Sequence, residues 1–276
     1  MSAFVGVVRR FSTHFTLVFG FCFFAQTAPA VQLVWDSLTW PAGALTQSFN
    51  IDPGNPGNDV TFTFTGDTAD FQVSLDTGNP LTPAITRAFD GGFSPGHNTL
   101  ELAVDFSNRN RAITLTIDFS NLYTTGVSDV SFTLFDIDFG NSGGSTYQDL
   151  ISSITATSTT GATIAPTITG VGPNVTHSGS GASQLLTGDT STPDNATQGP
   201  NHGDANATIS FLAPNIDSIT FTYSSSALFN DPTYQHIGID NLSYSVVPEP
   251  SPLAYWLTGF GILAGRIWYR RAKHIR

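Results

Sequence analysis

The chain has 276 residues, of which 40% are hydrophobic and 11% charged, against roughly 25% charged in an average soluble protein. Glu and Lys are almost missing, which excludes a mainly helical surface. The formal net charge of -11 excludes a nucleic-acid binder. What remains, with Gly, Ser, Thr, Asn and Asp over Phe, Val and Ile, describes an all-β protein rich in turns.

The N-terminus carries Arg9 and Arg10, then the apolar run FTLVFGFCFFA (15–25), then Ala28-Pro29-Ala30. This order predicts a secretory signal peptide over residues 1–30. Ala28 and Ala30 supply the small residues that signal peptidase requires, and cleavage is placed after Ala30. The competing reading is an uncleaved anchor, for which the apolar run is short. The only cysteine, Cys22, lies in this segment, behind a Phe21 too bulky for a lipoprotein cleavage site. The mature chain therefore does without disulfides.

Residues 31–247 form the predicted body. VTFTFTG (60–66) puts Val60, Phe62 and Phe64 on one face and threonines on the other. ITLTIDF (113–119) repeats the device, and VSFTLFDIDF (130–139) continues it with Val130, Phe132, Leu134 and Asp136 on one face. SITFTYS (218–224) and IGIDNLSYSV (237–246) follow the same alternation, which describes half-buried antiparallel strands. The clusters DPGNPGND (52–59), DTGNP (76–80), DGGFSPGHN (90–98) and GNSGGS (140–145) separate the runs. The expected architecture is an antiparallel two-sheet β-sandwich, jelly-roll-like. Residues 170–206 are polar and glycine-rich and read as one long loop, functional or mobile.

Within the body, Arg87, Arg109 and Arg111 face all 19 Asp and Glu101. Few of those carboxylates can find a basic partner, so they must meet water, cap turns or bind cations. Asp136 and Asp138, two apart, would share a strand face, with Gly140-Asn141 close behind and Asp149 later. Adjacent carboxylates repel unless a cation sits between them, and Ca²⁺ accepts roughly six to eight oxygens of this kind. Asp136, Asp138 and Asn141 are therefore predicted calcium ligands, against the plainer reading of a solvated strand end. The spacing is not that of an EF-hand, since the twelfth position from Asp136 is Tyr147. The turn 52–59 could also hold an ion, or could simply turn the chain.

Enzymatic signals are poor, and no residue is assigned a catalytic role. Gly140-Asn141-Ser142-Gly143-Gly144 fits G-x-S-x-G, but it closes an Asp-rich strand instead of opening a helix. His97, His177, His202 and His236 lack metal-ligand spacing. A glycosidase needs two opposed carboxylates, which composition alone leaves open. Sugar recognition needs exposed aromatic faces; Trp35, Trp40, Tyr123, Tyr147, Tyr223 and Tyr234 are available for that or for the core.

The C-terminus runs Val247-Pro248-Glu249-Pro250-Ser251-Pro252, then LAYWLTGFGILAG (253–265), then RIWYRRAKHIR (266–276). A helix over 253–269 would span about 25 Å, close to a thin hydrocarbon core. Tyr255, Trp256, Trp268 and Tyr269 lie near its ends, where aromatic rings prefer the interface. Arg266, Arg270, Arg271 and Lys273 in the basic tail (266–276) would stay cytoplasmic. This segment, 248–276, resembles the PEP-CTERM sorting signal: Pro248, Glu249 and Pro250 match its motif, and Ser251 follows as it often does. The resemblance implies processing by an exosortase, a membrane-embedded, transpeptidase-like cysteine protease. It implies a transient stay in the inner membrane of a Gram-negative bacterium, then delivery to the envelope or an exopolysaccharide matrix. The alternative is a permanent single-span anchor. The closing HIGIDNLSYSVVPEP resembles the final strand of secreted sandwich domains ahead of such tails. In related jelly-roll carbohydrate-binding modules an acid near that strand can ligate structural Ca²⁺, which makes Asp240 a further calcium candidate. The expected role is structural, adhesive or carbohydrate-binding, with an extracellular polysaccharide hydrolase as the alternative.

Overall fold

The computed structural model describes residues 30–247, apart from 53, 55, 77, 90, 93–97, 142–145 and 192–201. Ala28, the expected sorting motif Pro248–Pro250, the hydrophobic stretch 253–269 and the basic tail lie outside the described residues. Ala30 opens the first strand.

The alternating runs become strands because each places one apolar stripe inward. In chain order the strands are β1 (Ala30–Leu33), β2 (Thr46–Phe49), β3 (Val60–Gly66), β4 (Ala84–Thr86), β5 (Thr99–Val104) and β6 (Ala112–Asp118). They continue with β7 (Val127–Phe135), β8 (Phe139–Gly140), β9 (Tyr147–Ser158), β10 (Thr163–Ile164), β11 (Thr167–Thr169) and β12 (Val175–Ser178). The last five are β13 (Leu185–Gly188), β14 (Ala207–Phe211), β15 (Ile216–Ser225), β16 (Gln235–Ile239) and β17 (Leu242–Val246). The helical segments among the described residues are short 3-10 turns such as Trp35–Ser37.

Every pairing of these strands is antiparallel. One run follows the order β2, β3, β6, β15, β9, with β8, β10 and the β12–β13 hairpin along the far edge of β9. The other follows β11, β14, β7, with β16 and β17 end to end along the far edge of β7. β5 and β4 extend it beyond β16, and β1 extends it beyond β17. Ile216 paired with Val127 joins β15 to β7, so the sheet curls and its two runs face one another.

One core fills the space between them. Phe132 of β7 stacks on Phe221 of β15 with centroids 6.1 Å apart, and Phe119 meets Tyr244 of β17 edge-on at 5.1 Å. Trp35 sits fully buried against Phe62 and Phe49. Each such side chain contributes roughly 1.5–3 kcal/mol on burial.

Three expectations change. The run 130–139 is not one strand: β7 ends at Phe135, and Asp136 turns the chain with φ of 63°. The run 237–246 divides at Asp240-Asn241, where β16 passes the edge of β7 to β17. Residues 170–206 are not one long loop. Val175 and Leu186 are buried and hold the β12–β13 hairpin, which pairs with β9 through Leu186↔Ile151. Its alternation is hard to read because its outward positions carry the same Ser, Thr and Gly as the turns.

Candidate functional site

The chain leaves β7 at Asp136 and returns through β8 to β9, which brings Asp136 (8% exposed), Asp138 (2%) and Asp149 (0%) into one buried corner. Asp138 N–H donates to Asp149 Oδ2 at 3.1 Å, and Asp149 N–H donates to the Asp138 carbonyl at 3.0 Å. Tyr223 OH donates to Asp149 Oδ1 at 2.8 Å, and Tyr147 OH donates to Asp138 Oδ2 at 3.2 Å. Gly188 closes the corner: a Cβ there would stand 1.9 Å from the Asp138 carbonyl oxygen. Burial, and then the charge of Asp138, raise the Asp149 carboxyl well above its ordinary value. Burial and the neighbouring carboxylates also push the Tyr147 and Tyr223 phenols up, so both stay neutral donors. Closed and hydrogen-bonded, the corner suits holding a proton more than meeting a substrate.

Of the predicted calcium ligands, Asp136 and Asp138 meet in this corner, while Asn141 and Asp240 stand apart from it. Asn141 is exposed beyond β8. Asp240 stands opposite Thr133, to whose carbonyl its N–H donates at 2.9 Å. That is three residues along β7 from Asp136, about 10 Å at strand rise. Asp240 and Asn241 instead clamp Trp35. The indole Nε1 donates to the Asp240 carbonyl at 3.0 Å, and the Trp35 N–H donates to Asn241 Oδ1 at 2.9 Å. Asp136 and Asp138 do not share a strand face, because the positive φ of Asp136 ends the strand. Among the described residues no group of three or more His, Cys, Asp or Glu side chains is placed to hold a metal.

A second buried carboxylate escaped sequence reasoning. Glu101 of β5 is fully buried and accepts from Ser74 Oγ at 2.5 Å and Thr86 Oγ1 at 2.6 Å. His236 Nδ1 lies 3.0 Å from its Oε1. The signal was available: a lone Glu inside the otherwise apolar strand TLELAV. Ser74 bonds the carboxylate and not the imidazole, so no nucleophile–base pair forms. Among the other histidines, His177 Nε2 meets Gln184 Oε1 at 2.8 Å. His97 and Ser142, with its G-x-S-x-G motif, lie outside the described residues, as does the side chain of His202.

The aromatic candidates go inward. Trp35, Trp40, Tyr123 and Tyr223 are buried. Tyr147 and Tyr234 are half-buried, with hydroxyls bonded to Asp138 and to the Val73 carbonyl. None of the six is exposed.

The outward faces carry hydroxyls instead. Thr46, Thr63, Thr116, Thr220 and Thr155 fall in one row across β2, β3, β6, β15 and β9. A parallel row joins Thr65, Thr114, Thr222 and Ser152, while Asp118 interrupts the row of Thr61 and Ser218. On the opposite run Thr169, Thr208 and Thr133 align, as do Thr167, Ser210, Ser131 and Ser243. Several hydroxyls bond across strands: Thr155 to Thr220 at 3.2 Å, Thr114 to Thr222 at 3.2 Å, Thr133 to Thr208 at 3.0 Å and Ser131 to Ser210 at 2.9 Å. Those bonds fix rotamers and leave the remaining donor and acceptor capacity turned outward.

No protein-family profile matches the chain, and no curated protein matches it. Among solved structures it is similar to a carbohydrate-binding module of family 28 specific for non-crystalline cellulose. The identity is 12%, over 65% of this chain and 89% of that one, with a TM-score of 0.32. It is also similar to the family 11 carbohydrate-binding module of Clostridium thermocellum, solved with a β-1,3-1,4-mixed-linked tetrasaccharide. There the identity is 12%, over 82% of this chain and all of that one, with a TM-score of 0.29. Likeness this distant carries no ligand across.

Proposed function

We propose that the chain is an exported envelope or exopolysaccharide-matrix protein, sorted by its PEP-CTERM-like tail. Its jelly-roll-like β-body would act without catalysis, in a structural, adhesive or carbohydrate-binding role. The observation that carries the binding role is the pair of hydroxyl-lined faces. They offer aligned donors and acceptors with little charge, the chemistry that matches a neutral polyhydroxylated polymer. The hydrolase reading is weaker, because a glycosidase pair must face an open cleft, and Asp138 and Asp149 are buried and bonded to each other's backbone.

The strand order is compatible with tethering. β1 pairs with β17, with Ala30 opposite Ser245, so the chain joins and leaves the body at one end. A leader and a sorting tail attached there would keep both sheet faces clear.

A glycan array probed with the purified protein tests the binding role. Retention on neutral glucans or related polymers is expected. Thr116→Val with Thr220→Val keeps strand propensity and removes two hydroxyls. It should weaken binding about tenfold, the loss of one to two net hydrogen bonds. Unchanged retention in that variant would remove the hydroxyl face from the account. Sorting is tested separately: a C-terminally tagged chain should lose its tag only in a host that expresses an exosortase.

A further inference from the structure

The β2–β3 connection, 50–59, holds two aspartates that the preceding sites do not use. Asp59, the residue before β3, is fully buried. Its N–H donates to the Phe49 carbonyl at 2.7 Å. Its Oδ2 accepts from the Asp52 N–H at 2.5 Å and from the Ile51 N–H. Its other oxygen, Oδ1, is equally buried and has no hydrogen-bond partner. Asp52 stands beside it, its Oδ1 accepting from the Gly54 N–H at 2.8 Å and its Oδ2 from Tyr123 OH at 3.2 Å. Tyr123 OH in turn lies 3.5 Å from Tyr244 OH of β17.

An orphaned oxygen on a buried carboxylate calls for a partner, because desolvation is uncompensated there. The three arginines of the body are engaged elsewhere: Arg111 pairs with Asp67 and Asp70, Arg87 donates to Asn98 Oδ1, and Arg109 donates to the Ala227 carbonyl. A proton on Asp59 Oδ1 would leave an O–H with no acceptor in place of an oxygen with no donor. A cation between two carboxylates relieves both the orphan and the repulsion of Asp52 and Asp59.

We propose that Asp52 and Asp59 anchor a Ca²⁺ ion, with Asp59 Oδ1 and the Asp52 carboxylate as its charged ligands. Water fills the remaining positions, which suits the loose oxygen coordination of Ca²⁺ better than the strict octahedron of Mg²⁺. Through Asp52 and Tyr123 the ion ties the β2–β3 connection to Tyr244 of β17, the strand that ends the body. The site is independent of the tail and of any glycan.

The full chain, stripped with EDTA and dialysed, is titrated with CaCl2 by calorimetry and with terbium(III) by luminescence excited through the tyrosines. One saturable site per chain is expected, with Ca²⁺ quenching the terbium signal and raising the melting temperature. Asp52→Asn, in a half-buried turn, should weaken binding at least tenfold with the β-sheet circular-dichroism spectrum unchanged. Asp59→Asn should do the same or more. Asp136→Asn and Asp240→Asn should leave the affinity as it was. No saturable binding overturns the site, and so does binding lost in Asp136→Asn but kept in Asp52→Asn.

Discussion

At Asp149 a single hydroxyl makes a measurable difference. The Tyr223 OH donates to its Oδ1 at 2.8 Å, and both groups are fully buried. Tyr223→Phe keeps the ring against Phe106 and removes the donor. It should cost about 1–3 kcal/mol, the desolvation left on a buried acceptor, read by urea denaturation. A cost near zero would mean that Asp149 donates its own proton elsewhere. His236 gives a second residue-scale test. His236→Ala removes the imidazole that lies 3.0 Å from Glu101 Oε1 and should cost about 1–3 kcal/mol, the desolvation left on a buried polar group.

The β12–β13 hairpin shows what sequence periodicity misses and why. β3 and β6 were legible because Phe62, Phe64, Leu115 and Ile117 alternate strictly with threonine. The large apolar side chains that the hairpin strands bury are Val175 and Leu186 alone, so its pattern vanishes among turn-forming residues. Leu186→Ala should therefore cost about 2–5 kcal/mol and loosen this element first, raising amide exchange at 175–188 while β6 stays protected. The strand face expected of Asp136 and Asp138 is lost for a different reason. Alternation was read through a residue that adopts φ of 63°, and spacing on a strand loses its meaning once the strand has turned. Asp240 falls at a strand junction instead of inside one strand, and Trp35, which bonds its carbonyl, comes from the far end of the body's sequence, a contact that no local pattern encodes.

The whole molecule should prefer acid. Asp149 and Asp217 both have carboxyls raised by burial, Asp149 further by Asp138 and Asp217 by Asp118. A raised folded-state value means that folding favours the protonated form. That contribution is complete below the ordinary carboxylate range and is lost as pH rises through the raised values. The mutual repulsion of the body's carboxylates grows in the same direction, with Arg87, Arg109 and Arg111 as its only arginines. The melting temperature should accordingly be higher at about pH 5 than at about pH 8, and added salt should narrow the gap. A flat or reversed profile would contradict the buried-acid picture.

The pairing of the first strand with the last decides how the body bears load. β17 is hydrogen-bonded on both edges, to β1 and to β7. Tension applied through residue 247, with a bound polymer holding the sheet faces, must slide β17 against two ladders at once, so many bonds resist together. Tension between residues 30 and 247 would unzip the β1 ladder one pair at a time. If the proposed tail holds it, a body pulled from its C-terminal end would resist opening through both ladders of β17.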